Sequence, residues 1–129
     1  MEIIKISNLT KTYGEGEAKV EALRGIDFKV EEGDMVAIMG PSGSGKSTLL
    51  DIIGFLDKPS SGKYEFNGQD VEKIKDRELA NFRNKYIGFV VQNFALIDDY
   101  TVYQNVKVPL DYNKVHVNNK KDKVEAVLK

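Results

Sequence analysis

The sequence predicts an α/β fold in which short antiparallel strands precede a buried strand, a glycine-rich loop and a helix. Alternating apolar residues between Ile4 and Val30 indicate the antiparallel strands. The apolar run Met35–Met39 has the length of a buried strand, and the glycine-rich stretch 40–47 follows it directly. Residues 47–53 then read as the first turns of a buried helix. A strand, a loop and a helix in this order are the context that a phosphate-binding loop requires.

The glycine-rich stretch reads GPSGSGKS from Gly40 to Ser47 and fits the phosphate-loop pattern G-x-x-x-x-G-K-[ST] at every fixed position. Because Gly43 and Gly45 have no side chain, backbone N–H groups can turn inward and approach phosphate oxygens. Lys46 then reaches the β- and γ-phosphates, and Ser47 can offer its hydroxyl to Mg²⁺. The helix adds unpaired N–H donors and the positive end of its dipole. The alternative is a glycine-rich turn that binds nothing, but its flanking elements favour a nucleotide phosphate site.

Composition narrows the possible functions. The chain has 129 residues, enough for one domain. It carries 19 Lys and Arg against 20 Asp and Glu, and this net charge of −1 argues against a broad electrostatic nucleic-acid binder. It has no cysteine, which excludes disulfides and thiol catalysis. No apolar run approaches the ~18 residues of a membrane helix, so we expect any membrane link to come through a partner.

Local patterns predict further elements after the loop. Asn67-Gly68 suits a type I′ hairpin turn that follows a strand at 63–66. Residues 86–91 are strongly apolar and predict a second buried strand. The stretch 101–104 has the Thr-x-x-Gln spacing of a capping box and opens a helix, which we expect Pro109 to terminate.

Taken together, these residues resemble the nucleotide-binding subunit of ATP-binding cassette (ABC) transporters, in particular the lipoprotein-releasing, macrolide-exporter and antimicrobial-peptide-exporter subfamily. The text that carries the resemblance is KTYGEGEAKVEALRGIDF, GPSGSGKSTLLDIIGFLDKPSSG and RNKYIGFVVQNFALIDDYTVYQNVKVPLDY. It covers almost the whole chain. It implies that residues 1–97 comprise an N-terminal antiparallel β subdomain together with a P-loop NTPase core of the ABC type. Residues 98–129 would begin the helical subdomain, within which the chain ends.

The resemblance also assigns the site residues. It implies that Tyr13 stacks on adenine and that Gln92 contacts Mg²⁺ and water. Lys46 and Gln92 take the catalytic roles, and Ser47 and Gln92 the metal. The phosphate and magnesium cradle comprises Gly40, Ser42, Gly43, Ser44, Gly45, Lys46, Ser47 and Thr48. Plainer alternatives are an ordinary surface tyrosine at Tyr13 and, at Gln92, a side chain that only satisfies backbone groups.

The same resemblance implies ATP and Mg²⁺ as cofactors, and a membrane permease and a second copy of the cassette as partners. The chain would be cytoplasmic and would lie at the inner face of the cell membrane through that permease. Asp98 onward begins the segment that touches the permease. Two departures lie near it: Val91, where the family usually has Phe, and Gln104, where it usually has Glu.

Motifs that the family uses for hydrolysis are absent from the sequence: a second acid-bearing strand, a Ser-Gly-Gly-Gln signature and a switch histidine. We therefore expect the chain alone to bind Mg-ATP weakly and hydrolyse it negligibly. We also expect bare apolar strand edges to cause self-association.

Two other functions stay open. A non-catalytic fragment would keep the phosphate loop and the partner-touching segment as an interaction or regulatory module. A phosphate-loop kinase of a small metabolite would usually open directly with the loop strand, whereas this chain has over thirty residues before it. The transported substrate is not readable here, because specificity sits in the membrane subunit.

Overall fold

The computed structural model describes residues 1–93, 95–113 and 116–129, which form two compact units, Met1–Leu79 and Ala80–Lys129. The domain division predicted after residue 97 stays a prediction. The elements in chain order are β1 (Glu2–Tyr13), β2 (Val20–Glu31), α1 (Lys46–Ile53), β3 (Ser61–Phe66), β4 (Gln69–Asp70), α2 (Asp76–Tyr86), α3 (Val102–Asp111) and α4 (Lys120–Leu128).

The four strands form one antiparallel sheet in the order β2-β1-β3-β4. The antiparallel strands expected before the loop are confirmed as the long hairpin of β1 and β2. The hairpin predicted at Asn67-Gly68 is also confirmed, because Phe66 pairs with Gln69 across it. The φ angles of Asn67 and Gly68 are 49° and 73°, and a type I′ turn needs both to be positive.

The core of the first unit joins α1 to the sheet. Leu49 and Ile52 are the buried residues of α1. Just after the helix, the ring of Phe55 stacks on Tyr64 with centroids 5.6 Å apart and meets Phe66 edge-on at 5.4 Å. The Tyr64 hydroxyl donates to the carbonyl oxygen of Ile53 at 2.9 Å, and burial raises the pKa of this hydroxyl so that it stays a donor. The C-terminal end of α1 is therefore fixed to β3.

The two buried strands predicted at 35–39 and 86–91 are wrong for this structure. Neither run joins a ladder within the three described ranges, and α2 continues to Tyr86. Met35 and Met39 are 99% and 88% exposed, and the side chain of Val90 is fully exposed. A run that is apolar on both faces needs neighbouring strands to pair its backbone and cover it. The described sheet ends at β2 and offers neither run such a neighbour.

The capping box predicted for the second unit is confirmed at the start of α3. The Thr101 hydroxyl accepts from the Gln104 N–H at 3.1 Å, and the Gln104 side-chain oxygen accepts from the Thr101 N–H at 2.8 Å. Pro109 does not terminate the helix, which continues to Asp111. This close to the C-terminal end, proline removes only one N–H from the ladder, and the helix tolerates that loss. Across the described ranges, no helix has both the length and the apolarity to cross a membrane.

Gly62 tests the close packing of β3 on β1. Its φ is +94°, and a Cβ there would lie 2.3 Å from the Asn8 carbonyl oxygen and 2.6 Å from Leu9 Cα. We expect Gly62→Ala to lower the free energy of unfolding by more than about 2 kcal/mol, since the obstructing atoms are backbone. Gly68→Ala is the matched control, because its φ is +73° but a Cβ would meet nothing within 4 Å. Equal losses for the two variants in urea unfolding would contradict this account.

Candidate nucleotide-phosphate site

The glycine-rich loop turns into α1 through residues in the left-handed region. Gly43 has φ +78° and Gly45 has φ +95°, and Gly45 is the N-cap of α1. A Cβ at Gly45 would lie 2.5 Å from the carbonyl oxygen of Ala22 on β2. Only glycine therefore suits this position, both for its dihedral angle and for the close approach of the loop to the sheet.

The ammonium group of Lys46 curls back over the loop. It donates to the carbonyl oxygens of Gly40 at 2.5 Å and Pro41 at 2.7 Å, and to the hydroxyl of Ser44 at 3.3 Å. These three acceptors are all neutral, so the loop orients the cation without neutralising it. A phosphate oxygen is a charged acceptor and forms stronger hydrogen bonds than a carbonyl does. Lys46 is thus placed to exchange loop contacts for an anion.

A cleft of about 470 Å³ opens beside this loop. Its volume falls within the roughly 300–1,000 Å³ of small-molecule sites. Its lining residues are Ser42, Gly43, Gly45, Lys46, Ser47 and Thr48 from the loop and helix, and Val20, Glu21 and Ala22 from β2. The structure thus brings together six of the predicted cradle residues, while Gly40 and Ser44 contact Lys46 instead. Sequence reasoning missed the β2 wall, since a strand pattern does not say which strand the loop faces.

The residues present fit a triphosphate with Mg²⁺. A Cβ built on Gly43 would meet nothing within 4 Å, so the space beside this residue is open. Ser47 is one of the lining residues, and a hydroxyl oxygen is a kind of ligand that suits Mg²⁺. Gln92 lies in the second unit and is exposed, so its predicted metal contact stays a prediction.

Tyr13 does not line the cleft itself, but its cross-strand partner does. It pairs directly with Val20, which lines the cleft, and directly paired residues point to the same face of a sheet. Two polar contacts hold its side chain in place. The hydroxyl donates to Asp57 Oδ2 at 2.8 Å, and Lys11 Nζ lies over the ring, 5.0 Å from its centroid. Its stacking on adenine stays a prediction.

Asp57 ties this tyrosine to a lysine on the same strand. Its Oδ1 accepts from Lys11 Nζ at 2.8 Å and from the Lys58 N–H at 2.7 Å, while Oδ2 accepts from Tyr13. Burial alone would raise the pKa of Asp57, but the hydrogen bonds from Lys11, Tyr13 and Lys58 outweigh it and hold the pKa below its usual value. We call Lys11, Tyr13 and Asp57 the Asp57 clasp. Sequence reasoning missed it, because Asp57 lies more than 40 positions from both Lys11 and Tyr13 along the chain.

The glycine-rich loop that turns into α1 beside the sheet is the element that P-loop nucleotide-binding proteins share, although the strand expected at 35–39 is not formed. Residues 23–129 match the family described as ABC transporter, and the chain belongs to that family.

Similar proteins agree with this assignment. The chain is 49% identical over 110 residues to a macrolide export ATP-binding/permease protein MacB of Marinobacter nauticus, a match to 85% of this chain and 17% of that protein. It is 48% identical over 108 residues to the lipoprotein-releasing system ATP-binding protein LolD of Geobacter metallireducens, covering 84% and 48%. The dimeric structure of the ATP-binding cassette MJ0796 bound to ADP and Pi superposes with a TM-score of 0.87 at 40% identity, covering 98% of this chain and 54% of that one. The chain thus spans about half the length of such single-cassette relatives, and less of those with a fused permease.

Because the clasp lowers the pKa of Asp57, a variant that breaks the clasp should raise that pKa. We expect Lys11→Met to raise the pKa of Asp57, measured by NMR titration of its carboxyl carbon, because the main hydrogen bond that lowers it is lost. Since the folded pKa lies below the unfolded value of about 3.9, the carboxylate stabilises the fold above about pH 4 and loses this effect as pH falls through the folded pKa. Lys11→Met should therefore destabilise the chain at pH 6 and less so near pH 3.

The matched control is Lys29→Met, which breaks an exposed ion pair with Glu2 at 3.2 Å elsewhere on the hairpin. It should leave the titration of Asp57 unchanged. An Asp57 midpoint that is the same with and without Lys11 would contradict the clasp.

Proposed function

We propose that this chain is the ATP-binding module of an ABC transporter of the export type, and that it couples ATP binding and hydrolysis to a membrane permease. The observation that carries the proposal is the position of Lys46, a cation without a carboxylate partner in the described ranges. It lies at the start of α1, beside the cleft that the loop and β2 line. The names of the relatives, which include macrolide export and lipoprotein release, support an export role.

Each site residue has a distinct role in this proposal. The loop N–H groups and Lys46 bind the phosphate tail, and Lys46 stabilises the negative charge that grows on it during transfer. Ser47 and Gln92 hold Mg²⁺, which neutralises phosphate charge when it is bound. Tyr13 stacks on the base. Thr48 and Ser42 complete the polar wall of the cleft.

The proposed partners follow from the relatives. LolD is named as the ATP-binding protein of a system, and MJ0796 forms a dimer in the solved structure. We propose a permease subunit and a second cassette for the protein to which this chain belongs, with a place at the inner face of the cell membrane reached through that permease. We propose no nucleic-acid partner, since the net charge is −1.

A second candidate function is a non-catalytic interaction or regulatory module. The phosphate loop in the sequence is compatible with this candidate as well, because binding alone needs only that loop. Nucleotide binding without turnover is common to both candidates for this chain alone. The two candidates are separated by titrating nucleotide and measuring phosphate release for this chain and for a full-length relative.

Lys46→Ala is the test of the phosphate site. We expect the chain to bind Mg-ATP weakly, and the variant to lose about 10- to 100-fold in affinity by calorimetry, because a charge-assisted hydrogen bond contributes about 1.5–3 kcal/mol. Neither protein should release phosphate steadily. The control is Lys63→Ala, which removes a cation that pairs with Glu65 on β3 instead of facing the cleft.

Two results would overturn this prediction. One is equal ATP affinity for the Lys46→Ala variant and the unmodified chain. The other is steady phosphate release by the chain well above that of the variant.

The exposed apolar run at 35–39 leads us to expect self-association of the chain. Met35 and Met39 are almost completely exposed, and an unpaired apolar run of this kind recruits other chains. Light scattering at tens of micromolar should show dimers or larger species, and Met35→Lys with Met39→Lys should shift them toward monomer. A clean monomer of the unmodified chain would contradict this expectation.

A further inference from the structure

The Asp57 clasp holds the ring of Tyr13 on two sides. The phenolic hydroxyl bonds to Asp57 Oδ2 at 2.8 Å, and the Lys11 ammonium lies over the ring at 5.0 Å from its centroid. Lys11 is itself fixed, because it also donates to the Lys58 carbonyl oxygen at 2.6 Å and its side chain is only 13% exposed. Tyr13 as a whole residue nevertheless stays 42% exposed, which leaves surface for a ligand to contact.

We propose that Lys11 and Asp57 are positioning residues, which hold the Tyr13 ring as a ready-made platform for the base of a nucleoside triphosphate. This inference rests on the proposed function, because it concerns a ligand whose phosphates occupy the neighbouring loop. The two carboxylate oxygens of Asp57 have different tasks. Oδ1 is saturated by Lys11 and the Lys58 N–H, and Oδ2 fixes the direction of the phenol.

The arrangement lowers the entropic cost of base binding. A tyrosine at the end of a strand would otherwise sample several rotamers, and a ligand would have to immobilise one of them. The clasp orders the ring before the base arrives. Because the Lys11 ammonium lies over the ring, it also covers part of the ring surface. The base must therefore stack on the part that stays exposed.

The platform and the phosphate loop are anchored to the same elements. Asp57 follows α1 by four residues, and α1 begins at the loop. Tyr13 ends β1, and its cross-strand partner Val20 begins the β2 segment that lines the cleft. Two ordered connections therefore join Tyr13 to the loop: α1 leads from the loop to Asp57, and the pairing with Val20 joins Tyr13 to the cleft wall on β2. This placement suits a ligand with a base at one end and phosphates at the other.

The test compares Mg-ATP with Mg-tripolyphosphate, which has the phosphate chain but no base. In the unmodified chain, ATP should bind at least about fivefold more tightly than tripolyphosphate, the lower range for stacking of one base. Tyr13→Phe keeps the ring but cannot reach Asp57, and Asp57→Ala keeps Tyr13 intact. Each should lower the affinity for ATP by about three- to tenfold, the range for ordering one side chain, and leave that for tripolyphosphate unchanged. Combining them should add little.

Glu2→Ala is the matched control, because it removes another carboxylate that pairs with a lysine on the same hairpin, far from Tyr13 along β1. It should change neither affinity. Thermal unfolding of each variant checks that the fold is kept. Tyr13→Phe retains most of the packing, so it tests the inference even if Asp57→Ala unfolds.

The outcomes separate this inference from the proposed function. If neither ligand binds, the phosphate site itself fails and the inference fails with it. If ATP and tripolyphosphate bind equally to the unmodified chain, the phosphate site stands and the base platform is overturned. If Tyr13→Ala weakens ATP but Tyr13→Phe and Asp57→Ala do not, the ring contacts the base without being positioned, and the inference is overturned. Loss of both affinities in Asp57→Ala and Tyr13→Phe would show a structural role and overturn it too.

Discussion

The close approach of Gly45 to β2 is the constraint on which the rest of the site depends. The Ala22 carbonyl oxygen lies where a Cβ of residue 45 would be, and the same residue adopts a left-handed conformation as the N-cap of α1. One position thus fixes where the helix begins, how the loop turns and how near it lies to the sheet. Any side chain there would push the loop away from the sheet that forms the second wall of the cleft.

The positive charge of Lys46 is not compensated by a carboxylate in the described ranges. Carbonyl and hydroxyl oxygens of the loop orient the Lys46 ammonium but leave its net charge in place. A carboxylate in their position would compete with any phosphate for the same cation. The Asp57 clasp follows the opposite logic, because there a carboxylate does neutralise a lysine. The two lysines therefore differ in charge compensation: Lys46 has only neutral partners, and Lys11 is paired with a carboxylate.

The sequence predicts well those features that depend on a few neighbouring residues. The phosphate-loop pattern, the Asn67-Gly68 turn and the Thr101 capping box each depend on dihedral preferences or hydrogen bonds within about eight positions, and the structure has the matching geometry. The strand predicted at 35–39 failed, because a strand exists only with a hydrogen-bonded partner, and apolar composition does not supply one. Asp57 was missed for the related reason that its partners lie on β1, far away along the chain.

The helix that follows the glycine-rich loop also determines where the Tyr13 ring lies, through Asp57. α1 is fixed at its start by Gly45 against β2, and just after its end by the ring of Phe55 against Tyr64 and Phe66. Asp57 comes two residues after Phe55, so its carboxylate has little freedom of position. A change that moved α1 would therefore shift the loop and the Tyr13 ring together, whereas loss of the clasp alone would release only the ring. Under the proposed roles, a mutation in the clasp would therefore affect base binding alone, whereas a mutation that moves α1 would affect base and phosphate binding together.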